Sequence, residues 1–127
     1  MDAPLIFPYE SLKQGGRKWR ASGQNLGSGD GELLAQVNCR EAEKLGTKQK
    51  SETIASLEDA EVAVKCKRGD RVVSGGFAIG NPFDPGGDYG PYVYASRKQG
   101  RRTWVRSFFG YSPNSEQVTA YAYCEEA

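Results

Sequence analysis

A stretch near the start of the chain is repeated near its end. Residues 9–39 align without a gap with residues 94–124, and 10 of the 31 positions are identical. Trp19 and Trp104 are 85 positions apart, and so are Cys39 and Cys124. Internal similarity at a fixed offset indicates a duplicated structural unit. The sequence therefore predicts two related parts that fold in the same way.

The composition favours strands over helices. A chain of 127 residues can bury a real core as a single domain, and its 16 glycines and 11% aromatic residues are typical of a turn-rich β protein. Apolar residues alternate with polar ones, as at Val62, Val64 and Cys66, between glycine-rich turns. We expect an all-β antiparallel sandwich or barrel of about eight strands with an internal pseudo-two-fold duplication.

The expected organisation is a half-repeat at 4–39, a connector at 40–52 and a full repeat at 53–124. The connector is charged and poor in apolar residues, so it is predicted to be solvated, with at most a short helical turn. Gly75-Gly76 inside a strand predicts a close approach, with Trp104 as its partner. Residues 4–10, with two prolines, are predicted to be an edge strand or an extended lead-in. Further strands are predicted at 18–25, 32–39, 62–66, 71–79, 92–98, 103–110 and 117–124.

The absence of histidine restricts the chemistry of the chain. No histidine occurs at any position, which removes Ser-His-Asp and Cys-His nucleophilic sites and His-ligated zinc. We therefore expect no enzyme activity. The net charge is only +1, which makes nucleic acid an unexpected partner. No apolar run approaches the roughly 20 residues of a membrane span, and residues 1–4 lack the pattern of an export leader.

The second part of the chain resembles a known module. The residues that carry the resemblance are Cys66, the segment 71–77, Ser96, Trp104 and the segment 118–124. Together they resemble a repeat module of uncharacterised secreted bacterial proteins, which is present here as one full copy and one second half-copy. The resemblance implies an all-β, disulfide-containing extracellular module, and it implies no activity.

The same resemblance implies a disulfide between Cys66 and Cys124, provided that the chain reaches an oxidising compartment. Cys39 occupies in the first copy the position that Cys124 has in the second. The first copy has no residue equivalent to Cys66, so Cys39 has no predicted disulfide partner within the chain. It is either a free buried thiol or a link to another subunit. The alternative is a cytosolic or virion protein with three reduced cysteines.

Two repeated turns are rich in positive charge and lie beside the two tryptophans. Such turns could bind phosphates or sulfated sugars, with Arg20 and Arg106 nearby adding to the charge, or they could simply keep strand edges soluble. The candidate binding residues are Lys13, Arg17, Lys18, Arg97, Lys98, Arg101 and Arg102.

Aromatic residues concentrate around the long loop 80–91. Tyr89 and Tyr92 are candidates for stacking on sugars or meeting a partner protein, as are their neighbours, although core filling explains them equally well. Those neighbours are Phe83, Phe108, Phe109 and Tyr111.

Acidic loop residues are weak candidates for calcium, the one cofactor the sequence suggests. Asp84 and Asp88 in the long loop and Asp30 in a glycine-rich loop offer oxygen ligands, but without regular ligand spacing. Separately, the segment 68–70 spells the Arg-Gly-Asp tripeptide on a predicted hairpin turn, where glycine and aspartate are also common turn formers.

These observations favour a non-catalytic, secreted binding module for glycans or anionic surfaces. A structural assembly subunit, such as a virion or cell-surface component, is the alternative, with the strand at 4–10 and Cys39 serving contacts between chains. A protein inhibitor that presents the loop 80–91 is the third hypothesis.

Overall fold

The computed structural model describes residues 6–15, 18–25, 29–33, 35, 45–80, 91–110 and 115–126. These residues form eight strands and no helix, which confirms the predicted all-β class. The strands are β1 (Ile6–Gln14), β2 (Lys18–Asn25), β3 (Gly46–Ile54), β4 (Asp59–Lys65), β5 (Arg71–Ile79), β6 (Tyr92–Gln99), β7 (Thr103–Phe109) and β8 (Glu116–Glu125).

The strands form two antiparallel sheets that pack as a sandwich rather than a closed barrel. The larger sheet has the order β2-β1-β5-β8-β3, and the smaller has the order β4-β7-β6. The core lies between them, because alternate residues of β4 and β8 face inward. Val62 and Val118 are fully buried there, and Phe77 meets Phe108 edge to face at 6.1 Å between ring centroids.

Two of the strand predictions were wrong. Glu32, Leu33 and Ala35 lie in no strand, and Leu34 and residues 36–39 of the predicted strand at 32–39 fall outside the described residues. Conversely, the supposed connector at 40–52 contains most of β3, which pairs with β8 over nine consecutive positions, from Gly46 opposite Cys124 to Ile54 opposite Glu116. The side chains of β3 are mostly exposed, so its stability comes from backbone pairing, which leaves no apolar pattern in the sequence.

The first strand was expected at an edge; this is wrong for β1 as a whole, although Ile6, Phe7 and Pro8 have ladder partners only in β2. β1 lies between β2 and β5. Its pairing with β5 is confined to Glu10 and Ser11, and its register against β2 shifts between Pro8 and Glu10. Proline is tolerated in β1 because it falls at this irregular point of the ladder.

The hairpins β1–β2 and β6–β7 share their geometry as well as their sequence. All seven paired positions of β6–β7 match paired positions of β1–β2 at an offset of 85, and both registers shift at the same place, between Pro8 and Glu10 and between Val93 and Ala95. Both turns contain a glycine with φ of 75°. In each hairpin a tryptophan Nε1 donates to a serine Oγ, from Trp19 to Ser11 at 3.0 Å and from Trp104 to Ser96 at 2.9 Å.

The glycine pair in β5 faces these two hairpins. A Cβ placed on Gly75 would lie 2.1 Å from a ring carbon of Trp104, which confirms the predicted close approach. A Cβ on Gly76 would lie 2.7 Å from the carbonyl oxygen of Ser11 in β1. Because successive residues of a strand point to opposite faces, one glycine accommodates each hairpin.

Candidate functional site: a basic end of the sandwich

Two basic segments are held together at one end of the sandwich. The turn between β4 and β5 adjoins the tip of the β6–β7 hairpin, because β4 pairs with β7 as far as Lys65 opposite Thr103. Backbone hydrogen bonds fix this arrangement: Cys66 N donates to Arg102 O at 2.8 Å, and Val72 N donates to Arg101 O at 2.9 Å. The turn and the tip therefore form one continuous surface.

This surface, which we call the basic end, carries eight cations and one carboxylate within residues 65–71 and 97–102. Two cations are paired with carboxylates outside these segments: Arg71 with Glu125 at 2.7 Å, and Arg97 with Glu61 at 2.6 Å. The other six form no ion pair within the described part of the chain. They are Lys65, Lys67, Arg68, Lys98, Arg101 and Arg102.

The tip of the first hairpin approaches the same end. Beyond Ser11, which pairs with Phe77, β1 runs towards the start of β5. Lys13 N then donates to the hydroxyl of Tyr123 at 2.7 Å, and Tyr123 lies opposite Ser74. The candidate residues Lys13 and Lys18 therefore lie towards the basic end, whereas Arg17 is outside the described residues.

Negative charge collects at the opposite end. Glu58 and Asp59 lie where β3 turns into β4, and Glu116 lies opposite Ile54 at the end of β3. This end is closed by backbone bonds from Leu57 N to Gly110 O at 2.7 Å and from Gly110 N to Glu58 O at 2.9 Å. Cations are thus concentrated at one end of the strands, where Asp70, Glu125 and Glu126 lie as well, although the net charge of the chain is only +1.

Arg106 does not belong to the basic surface, contrary to the sequence-based grouping. Strand alternation turns its side chain into the sandwich, where 9% of the residue is exposed. Its Nη2 donates to Gly75 O at 2.9 Å, and its guanidinium lies 5.1 Å from the centroid of the Phe77 ring. Burial lowers the pKa of Arg106 to about 10. Arg20, the other residue of that grouping, pairs with Glu10 at 2.8 Å.

The aromatic candidates separate into core and surface. Phe108 is a core residue, whereas Tyr92 is half-buried and lies 5.6 Å from Phe109 and 6.5 Å from Tyr94, between ring centroids. Tyr94 is 56% exposed and was missed by sequence reasoning. Loss of solvent and then the nearby carboxylate of Asp59 raise the pKa of Tyr94 above its ordinary value.

Several predicted positions lie outside the described residues: Tyr89, Phe83, Tyr111, Cys39, the calcium candidates Asp84 and Asp88, and residues 81–90 of the long loop. Asp30 is exposed, and the described part of the chain contains no group of three or more acidic or cysteine side chains suited to a metal ion.

The basic end lies over a disulfide. Cys66 and Cys124 are joined, as predicted, and both residues are buried. Cys66 follows β4 directly, and its N–H holds the hairpin tip through Arg102. The Arg68-Gly69-Asp70 tripeptide lies on the adjoining turn, where Gly69 has a φ of 96° and Asp70 N donates to Lys67 O at 3.1 Å.

Replacement of Tyr123 by phenylalanine is expected to loosen the first hairpin. The change removes the acceptor of the Lys13 N–H, and we expect a loss of about 1 kcal/mol in the free energy of unfolding. Burial raises the pKa of the Tyr123 hydroxyl, so it is neutral at pH 7, where urea denaturation should be measured. Tyr121→Phe on the same strand is the matched control, and equal effects of the two changes would contradict this role.

Comparison of the chain with family models, with curated proteins and with solved structures finds no match. Among the described residues, no helix is long and apolar enough to cross a membrane.

Proposed function

We propose that the chain is a non-catalytic, secreted module that binds an anionic polysaccharide through the basic end. The observation that carries this proposal is the joining of the β4–β5 turn to the β6–β7 tip by backbone hydrogen bonds of 2.8 and 2.9 Å. These bonds hold cations from two separate segments in one array. A preorganised array loses less entropy on binding than cations on independent loops would.

The charges of the array fit a linear polymer better than a single small ion. Six cations without an ion partner among the described residues, three lysines and three arginines, stand on the turn, the tip and the strand ends that adjoin them. Arginine offers a planar fork to sulfate, phosphate or carboxylate groups, whereas lysine acts as a mobile point charge. A polymer with repeated anionic groups can engage many of these side chains at once.

Three further observations support the proposal. A buried disulfide is typical of proteins in oxidising compartments. The chain contains no histidine, which removes the commonest general base near neutral pH. The matched geometry of the β1–β2 and β6–β7 hairpins also supports the duplication that the resemblance to secreted repeat modules implies.

The double variant Lys67→Gln/Arg101→Gln tests the proposal. Each cation near a polyanion contributes about 1 kcal/mol at low ionic strength, so we expect affinity for a heparin oligosaccharide to fall by about 30-fold. Fluorescence polarisation across a salt series measures this, and the slope of log Kd against log salt concentration should become shallower.

The matched control is Arg20→Gln/Lys50→Gln. It also removes two cations, both with side chains 55% exposed, but these cations lie along the strands and are paired with Glu10 and Glu52. We expect this control to bind within about 3-fold of the unchanged chain, since only long-range charge is lost. Equal losses in the two double variants, or no binding of the unchanged chain at low salt, would contradict the proposal.

A further inference from the structure

The outer face of the smaller sheet carries an exposed tyrosine at a β-bulge. Tyr94 is the extra residue where the register of β6 against β7 shifts, between Val93 and Ala95. A bulge re-aims a side chain out of the regular alternation of its strand. Val93 packs against the core, whereas 56% of Tyr94 is exposed to solvent. The bulge therefore presents an aromatic ring on the surface of the sandwich.

The Tyr94 ring reaches across the neighbouring strand. Its backbone is in β6, whereas its hydroxyl lies near the carboxylate of Asp59 in β4, which is the second cause, after loss of solvent, of its raised pKa. Because β7 runs between β4 and β6, the ring crosses β7. Ser107 of β7 faces outward, opposite the exposed Glu61, and yet it is buried. One face of the ring therefore covers the sheet at Ser107, and the other face is turned to solvent.

Charged groups of both signs stand beside this ring. Asp59 and Glu61 are exposed residues of β4 on the outer face of the sheet, since alternate residues of a strand share a face. Arg97 of β6 donates from its Nη2 to Glu61 Oε1 at 2.6 Å, and each of these two side chains remains about half exposed. The ion pair spans β7 just beyond Ser107. The surroundings of the ring thus offer hydrogen-bond acceptors and donors together.

The matching bulge in the first hairpin has a different role. At the offset of 85 the extra residue is Tyr9, between Pro8 and Glu10, and Tyr9 packs against the hydrophobic core. The same residue type at the same bulge thus serves packing in one hairpin and is exposed in the other. Filling of the core therefore explains Tyr9 but not Tyr94.

We propose that Tyr94 is a stacking platform for one pyranose ring of a neutral glycan. Asp59, Glu61 and Arg97 bind the hydroxyls of that sugar. A pyranose has an apolar C–H face that buries area against an aromatic ring, and each of its hydroxyls both donates and accepts hydrogen bonds. An anionic ligand would instead meet two carboxylates, and an organic cation would meet a guanidinium. The charges beside the ring therefore favour a neutral, hydroxyl-rich ligand.

Titration of the full chain with neutral hexasaccharides of glucose, mannose, galactose and N-acetylglucosamine tests this inference, with the backbone amide chemical shifts as the readout. At least one hexasaccharide should bind saturably, with its largest shifts at 59–61, 94–97 and 105–107. Tyr94→Ala should weaken this binding by about 30-fold, whereas Tyr94→Trp keeps a ring face and should bind within about 3-fold of the unchanged chain. Binding of none of these sugars, largest shifts elsewhere, or binding of tetramethylammonium in their place would overturn the inference.

Further variants separate the platform from a general surface effect. Leu57→Ala removes another exposed apolar side chain, on the β3–β4 turn, and should leave sugar binding unchanged. Glu61→Gln keeps the size of the side chain and should weaken sugar binding by about 5-fold, because hydrogen bonds to a charged group are the stronger ones. Equal sugar affinity of Tyr94→Ala and Leu57→Ala would also overturn the inference.

This site is independent of the binding of an anionic polysaccharide, because its arginine is one that is already paired with a carboxylate. Tyr94→Ala should therefore bind a heparin oligosaccharide like the unchanged chain. The sugar titration and the heparin titration fail separately, so each result bears on one of the two proposals.

Discussion

Replacement of both Cys66 and Cys124 by alanine is expected to lower the free energy of unfolding by about 4 kcal/mol. The disulfide joins residues 58 positions apart, so it removes a large loop entropy from the unfolded chain. Both residues are buried, and alanine introduces no polar atom into the core beside Val72. Guanidinium denaturation of the oxidised chain and the variant at pH 7 measures the difference.

Reduction provides the control for this prediction. Dithiothreitol should lower the stability of the unchanged chain by about the same amount as the double substitution. It should leave the stability of the variant itself unchanged. A variant within about 1 kcal/mol of the oxidised chain would show that the bond does not constrain the unfolded state. If the variant does not fold, the reductant titration of the unchanged chain still measures the contribution of the bond.

Part of the fold could be predicted because it follows local rules. Val62, Val64 and Cys66 alternate with polar residues, and this pattern places β4 correctly on one face of a sheet. The glycine pair in β5 predicted a close approach, and the ring of Trp104 fills the space above Gly75. In each case the signal lies within one strand or in one residue type with a known steric role.

The errors have a common physical cause. β3 is held by backbone pairing with β8 at the edge of a sheet, and backbone groups are the same for every residue type. The segment at 32–39 has the opposite character: it carries a strand pattern, but Glu32, Leu33 and Ala35 lie in no strand. A pattern therefore shows what a segment could bury, whereas pairing depends on which neighbour is present.

The candidate site was predicted only in part, because the cations of the β6–β7 tip were candidates whereas Lys65, Lys67 and Arg68 were not. The basic character of residues 97–102 was visible in the sequence, but their contact with the β4–β5 turn depends on the order of strands in the smaller sheet. The net charge of +1 also hid the concentration of cations at one end of the sandwich. Arg106 was misassigned because the sequence alone does not show which face of β7 points inward.

Substitution of Gly75 or Gly76 by alanine is expected to destabilise the chain by about 3 kcal/mol each, for different reasons. The new methyl at position 75 would lie 2.1–2.5 Å from ring atoms of Trp104, so the indole must leave its place. At position 76 the methyl would meet the Ser11 carbonyl oxygen at 2.7 Å and the Tyr123 hydroxyl at 3.0 Å. Gly75→Ala therefore disturbs the β6–β7 hairpin, whereas Gly76→Ala disturbs the β1–β2 hairpin.

A matched control and a double-mutant cycle separate the two effects. Gly46→Ala changes a strand glycine whose nearest contact for a Cβ is 3.9 Å away, so it should cost less than about 0.5 kcal/mol. Trp104→Leu shortens the side chain over Gly75, so Gly75→Ala should cost about 2 kcal/mol less in that background, while Gly76→Ala should cost the same. Urea denaturation of the set measures these differences. A penalty for Gly75→Ala that Trp104→Leu does not relieve would mean that the backbone of β5, and not the indole above it, sets the requirement for glycine.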